Sequence, residues 1–185
     1  MKHELWYSVV VRDRYGKVVS RERRKARSLL KAWNQLIYTD MSGVASTITD
    51  TGGTPRSVAA SVINLNMRGF AGVTNYGIRV GTGTTPVALD DYALEAPIEE
   101  GTGAGQMEHR LMYISSPTVA PPSCYFLVPR FIVNNSPGEI TVREAAIYVQ
   151  MSTFYGCVAR DVFGTPQAVP IGGTITMDWT IQVTV

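Results

Sequence analysis

The chain has 185 residues, a length suited to one domain that buries its own core without staples. Apolar residues make up 45% and charged residues 17%, below the roughly 25% usual for a soluble domain, which is what a subunit shows when copies of itself cover its surface. No basic-then-apolar leader opens the sequence and no apolar run approaches the ~18 residues of a membrane span, so we expect no membrane segment and assembly in a reducing cytoplasm.

The net charge of +2 hides an asymmetry. Between Arg12 and Lys31 lie nine basic residues against Asp13 and Glu22, a local net of +7, which leaves −5 for the remainder. Five carboxylates, Asp90, Asp91, Glu95, Glu99 and Glu100, crowd into eleven positions. A basic and an acidic segment on one chain attract each other between neighbouring copies.

The opening "LWYSVVVRDRYGKVVSRER" reads as two strands around Arg14-Tyr15-Gly16-Lys17, with glycine where a hairpin needs φ > 0. From Ala26 to about Tyr38, Leu29, Leu30, Trp33, Leu36 and Ile37 recur at helical spacing and predict one amphipathic helix. Ser20 or Ser28 is its expected cap, and Gly43 its expected end.

Everything after it reads as strands and turns. "VASTITD", the turn "TGGTP" and "RSVAASVINLN" predict a second hairpin, and the region from Gly69 to Gly105 a long, partly irregular loop. "GQMEHRLMYIS", "CYFLVPRFIVN", "ITVREAAIYVQ" and "YGCVARDVF" read as strands, with "PTVAPPS", "NSPGE" and "GTPQAVPIGG" between them. The last run alternates cleanly, Ile175, Met177, Trp179, Ile181, Val183 and Val185 on one face and polar residues on the other, as a half-buried antiparallel strand does. Eight to ten such strands predict a mainly β fold, an antiparallel β-sandwich or jelly roll with one amphipathic N-terminal helix. The chain reads as a single domain over 1–185, its hairpin and helix in 1–43 and its β-rich body in 44–185.

Motifs that carry chemistry fail on inspection. Gly81-Thr82-Gly83 lacks the third glycine of a dinucleotide fingerprint, and no Gly-Lys-Ser/Thr makes a P-loop, so "VGTGTTP" reads as a turn after a strand over Tyr76–Val80. His3 and His109 have no partner at ligand spacing, and His109 reads as an ordinary strand residue. No serine sits in a Gly-x-Ser-x-Gly elbow. Asp90-Asp91 and Glu99-Glu100 match no EF-hand, and read as an acidic rim. Cys124 and Cys157 lie in apolar runs and read as buried free thiols. We expect no enzyme, cofactor or metal. The basic run we read as docking to an acidic neighbouring subunit in preference to nucleic acid.

Several blocks together resemble structural proteins of tailed bacteriophages. "VVVRDRYGKVVSRERRKARSLLKAWNQLIY" is similar to a recurrent opening of strand, Asp-x-x-Gly-Lys turn and Ser-Leu-Leu helix. "ITDTGGTPRSV" and "GIRVGTGTTPVALDDYALEAPI" resemble the blocks that follow. "RFIVNNSPGEITVREAAIYVQ" resembles the strand carrying an Ile-Thr-Val-x-Glu-x-Gly-Leu-Tyr motif, with Ala146-Ile147 in place of Gly-Leu. "VARDVFGTPQAVPIGGTITMDWTIQVTV" resembles the closing block.

The resemblance implies a β-rich virion subunit in several copies, on the capsid as a decoration protein or along the head–tail or tail apparatus, with no catalytic residues. Its partners would be other copies of itself and other virion proteins, and it would be assembled in the host cytoplasm. The interface residues this suggests are Arg14, Arg21, Arg23, Arg24 and Arg27 on the basic side, and Asp90, Asp91, Glu95, Glu99 and Glu100 on the acidic side. The alternative is a receptor- or carbohydrate-binding β-module of a tail fibre, for which Trp6, Tyr76, Tyr92 and Tyr113 are the candidate aromatics.

Overall fold

The computed structural model describes residues 2–26 and 29–185; Arg27 and Ser28, an expected interface residue and an expected helix cap, lie outside the described residues. Strand accounts for 49% and helix for 7%, so the fold is mainly β with antiparallel sheets and a single helix, as expected.

Strands β1 (Lys2–Arg12) and β2 (Val18–Lys25) form the first hairpin. Its turn closes through the Asp13 carboxylate, which accepts from the N–H groups of Tyr15 at 2.9 Å and Lys17 at 3.0 Å, with Gly16 at φ 81°. Helix α1 (Lys31–Ser42) starts later than the periodicity from Ala26 predicts. Neither serine caps it: Ser20 lies within β2, and the N-cap is Leu30, extended at φ −81° and ψ 165° with no side-chain cap. The cause is a competing partner. Leu30 N–H donates to Val158 O at 2.9 Å and Leu29 bridges Ala159, so this stretch is held as a strand edge before the helix begins. The apolar stripe still does its job, with Leu30 and Leu36 buried and Leu29 and Trp33 packed on the core. Gly43 ends the helix in the left-handed region, its N–H on Thr39 O at 2.9 Å.

Next come β3 (Ser46–Thr49) and β4 (Pro55–Val58), a short hairpin. The strand expected through Asn66 stops at Val58, and Leu65 and Asn66 instead dock on Gln150 by single backbone bonds. Strand β5 (Gly77–Gly81) precedes the long loop, and β6 (Glu108–His109) is all that forms of the strand expected over residues 105–115. That segment does run beside a partner strand, with Arg110 N–H on Phe131 O and Ser115 N–H on Leu127 O. It is broken because Met112 N–H turns to Gly69 O, and Arg110 O is taken by the Arg130 side chain.

The remaining strands are β7 (Thr118–Ala120), β8 (Ser123–Val133), β9 (Ile140–Met151), β10 (Phe154–Val169) and β11 (Thr174–Thr184). Strand β10 continues through "GTPQAV", read from sequence as a connection. The β9/β10 register shifts between Val162 and Gln167, a bulge after which Gln167–Val169 pair again with Ile140–Val142.

Two sheets face each other. The larger runs β2-β1-β11-β8-β6 with β7 also on β8, the smaller β10-β9-β5, and β3-β4 stand apart. The core lies between Tyr7, Val9 and Val11 of β1, Ile175, Met177 and Trp179 of β11, and Ile147, Val149 and Val158 from the other sheet. Tyr7 holds its centre, 5.5 Å from the Phe163 ring and 5.9 Å from Trp179. Alternation on β11 holds over its first half; Val185 is 81% exposed, so the inward face does not extend to the end. Strand β9 is buried on both faces, since Ala146 and Tyr148 pack with Leu30, Leu94 and Cys157 on the side away from the main core. That second covered face sets up the site.

Candidate functional site

One N–H of Gly81-Thr82-Gly83, that of Gly83, does help to hold an anion, and the anion belongs to the chain. Strand β5 pairs with β9 so that Gly81 lies opposite Glu144, whose side chain is fully buried. Thr82 N–H donates to Ala96 O at 2.8 Å and Ile98 N–H to Val80 O at 3.0 Å, which folds the following loop back along the same edge. Glu144 Oε1 accepts from the N–H groups of Gly83 at 3.1 Å and Ala96 at 2.9 Å. Its Oε2 accepts from Arg160 Nε at 2.8 Å and Glu95 N–H at 3.3 Å. A Cβ on Gly81 or Gly83 would stand 2.5 Å from Oε1, so both positions need glycine to let the backbone reach the carboxylate.

Arg160 joins this cradle to the acidic loop. It projects from β10 with a 2% exposed side chain, donates from Nη1 to Asp91 Oδ2 at 2.7 Å and from Nη2 to Thr85 O at 3.1 Å, and lies 3.9 Å from Glu95. Burial opposes its charge, but Asp91 and Glu144 outweigh that and raise its pKa. Glu95 in turn caps the turn at Thr84-Thr85, accepting from both N–H groups and from the Thr85 hydroxyl at 2.6–2.7 Å, and these bonds lower its pKa. A cavity of about 280 Å³ opens beside the cluster, lined by Tyr92, Leu94, Glu95 and Arg160.

The rest of the acidic segment is also paired, Glu99 at the surface and Glu100 against a buried ring. Glu99 pairs with Arg79 at 3.1 Å. Glu100 Oε2 accepts from the backbone N–H of His109 at 2.8 Å and lies 2.9 Å from its Nδ1. That places the ring proton on Nδ1 and leaves Nε2 a buried acceptor with no partner among the described residues. Burial, then the nearby Arg130, pushes the His109 pKa down to about 4, so the ring is neutral at neutral pH. His109 lies in strand β6, as read from the sequence, and from there its buried ring ties Glu100 to the strand. Arg130 is itself fully buried and donates to four backbone carbonyls, those of Arg110, Ile78, Phe70 and Val73. Burial lowers its pKa to about 10. Of the five expected acidic interface residues, only Asp90 is exposed without an ion pair among the described residues.

The basic residues face outward. Arg14 lies at the hairpin turn over the Tyr15 ring, and Arg21, Arg23 and Arg24 are exposed on β2. Arg24 is tied to Glu22 at 2.9 Å, and Arg23 stacks over Trp6 at 5.5 Å. Glu22 repeats the cradle theme: buried, it accepts from Tyr7 Oη at 2.9 Å and from the N–H groups of Gly164 and Thr165 at the β10 bulge. Registers place Arg21, Val10, Thr176 and Phe131 in one row across the outer face, and Arg23, Ser8, Asp178 and Pro129 in the next. Asp178 is half-buried there, with one carboxylate oxygen unpartnered among the described residues and its pKa raised by burial. Beside this face Phe131, Leu111 and Tyr113 are 52%, 56% and 67% exposed.

The four candidate aromatics do not share a platform: Tyr76 stacks on Tyr155, Tyr92 covers Gly53, Trp6 carries Arg23, and only Tyr113 is largely free. Cys157 is buried and its thiol pKa raised by burial, whereas Cys124, read from sequence as buried, is exposed at the start of β8: it shares the parity of the buried Val128 and Ile132, but it pairs with Val183 near the end of β11, where the sheet runs past the core; both are free. Sequence reasoning missed Glu144, Arg160, Glu22 and Arg130. Their signal was there: each is a charged residue inside a strand run at a position the sandwich buries. No family model matches the chain, and no curated protein and no solved structure matches it either.

Proposed function

We propose that the chain is a structural subunit of a tailed-phage virion, assembling in multiple copies on the capsid or the head–tail or tail apparatus. One observation carries this reading. The buried charges are spent on holding loops to the sandwich, while exposed apolar side chains, among them Leu111, Tyr113 and Phe131, and a basic edge strand face outward. Rigid loops and a sticky, sparsely charged exterior suit a part that is built into a larger surface. The resemblance of successive sequence blocks to phage structural proteins supports the same reading. The ion pairs within the chain change how neighbours would meet: on the basic strand Arg21 and Arg23 stand outward while Arg24 and Lys25 are tied to Glu22 and Glu4, and of the acidic loop Asp90 alone is exposed without an ion pair among the described residues.

The test is solution mass by light scattering across protein concentration, with Phe131→Glu and Tyr113→Ser as variants. A defined oligomer that the variants dissociate is the expected result. A monomer at every concentration, which also fails to sediment with phage particles lacking a decoration or tail component, overturns the reading. Saturable binding to a glycan array, with no association, would select the receptor-binding alternative.

A further inference from the structure

We infer that the open edge of β2 accepts an extended acidic strand from a different polypeptide, by strand addition. Strand β2 pairs only with β1 among the described residues. The bond from Ala26 N–H to Leu5 O, with the register Tyr7↔Arg24 and Val9↔Glu22, turns the backbone groups of Arg24 and Glu22 toward β1. Antiparallel alternation then leaves the N–H and C=O groups of Arg21, Arg23 and Lys25 pointing outward, with no strand paired to them among the described residues. A register shift at Val11/Arg12 ends the regular edge near Val19, so the free template runs from Arg21 to Lys25.

Charge selects the occupant. The one acid of β2, Glu22, is buried under Tyr7 and the β10 bulge and offsets nothing at the rim except Arg24. Two copies pairing edge to edge would set Arg21 and Arg23 against each other, which is how basic edges prevent self-pairing. An acidic strand meets the same residues favourably. On its other face an added strand would look into the cleft between the β2 and β10 edges, of about 1140 Å³, whose walls include Leu29, Pro86, Val87 and Leu89. The occupant that fits both sides alternates acidic and apolar residues. This rests on the proposed function only for the source of such a segment, a neighbouring virion protein.

The experiment is fluorescence anisotropy of a labelled octapeptide alternating Glu and Val, titrated with the full chain at low salt. Saturable binding is expected, weakened at least about ten-fold by Arg21→Glu with Arg23→Glu, and equally by proline at alternate peptide positions, which removes the strand donors. Both arginines are exposed, so the variant keeps its fold; a Lys–Val octapeptide that fails to bind gives the same charge test without any variant. Absence of saturation overturns the inference. So does equal binding of the proline peptide, which would mean charge alone, or displacement by a single-stranded oligonucleotide, or dimerisation lost in the Arg21/Arg23 variant. None of these outcomes decides whether the chain belongs to a virion, so the two readings fail separately.

Discussion

Replacing Glu144 by Gln should cost far more than its near-identical shape implies. The carboxylate accepts four N–H donors, two on each oxygen. An amide has one acceptor oxygen, so in either orientation its NH2 group faces two buried donors, from Gly83 and Ala96 or from Arg160 and Glu95. Each buried group left without a partner costs about 1–3 kcal/mol. Arg160 also loses one of its two close carboxylates while remaining 2% exposed, and removing one partner of a buried ion pair costs about 3–5 kcal/mol. These overlap, so we take about 3–5 kcal/mol in all. For a chain of this size each kcal/mol moves Tm by roughly 2–4 °C, giving a fall of about 6–20 °C. Thermal unfolding by circular dichroism measures it, with the urea midpoint as a check and Glu99→Gln as control. Glu99 pairs with Arg79 from a side chain 62% exposed, a kind of pair worth under about 1 kcal/mol. A Glu144→Gln protein within about 3 °C of its parent, or no worse than the control, would refute the cradle as a stabilising device.

The same geometry makes Gly81→Ala severe, because its Cβ would meet Ala96 O at 2.6 Å as well as the carboxylate; we expect a loss of about 2–4 kcal/mol, against under about 0.5 kcal/mol for Gly138→Ala, which opens into free space. His109 has a folded-state pKa of about 4 against 6.5 when unfolded, so the unfolded chain binds the proton first, and stability is full above pH 7 and lost as pH falls from 6.5 towards 4. The loss is about 2 kcal/mol between pH 7.5 and 5, read from urea midpoints; a midpoint unchanged over that range, or unchanged in slope by His109→Gln, would contradict it. A thiol reagent should label Cys124 rapidly and Cys157 only on unfolding, so two fast equivalents in the native protein would show that the second covered face of β9 is open.

The elements legible in the sequence were those fixed by near neighbours. The first hairpin follows from Asp13 and Gly16, the helix end from Gly43, and the first half of β11 from strict alternation, each decided within a few residues. What the sequence hid was decided by distant parts of the chain. The helix start shifts because Leu30 prefers Val158 O, more than a hundred residues away, and the strand at 105–115 breaks because Arg130 claims a carbonyl within it. Periodicity reports the faces of an element and says nothing of a partner that competes for its backbone.

The glycine turn shows the same limit in chemical form. A row of backbone N–H groups made accessible by glycine binds any anion that fits, and the physics does not depend on whether that anion is a phosphate or a side chain. What decides between them is the residue opposite, and Gly83 and Glu144 stand 61 positions apart in sequence. Glu144 sits in "ITVREAAIYVQ" at a position where both flanking strands bury it, and a charge there has no stable place without an opposed cation and several donors. Arg160 in "CVARDVF" is the matching anomaly, on the strand paired beside it. Taken separately, a glycine loop, a strand glutamate and a strand arginine are each ambiguous. Taken together they complete one another, which is why a motif that resembles a ligand site is here part of the frame that holds the acidic loop closed.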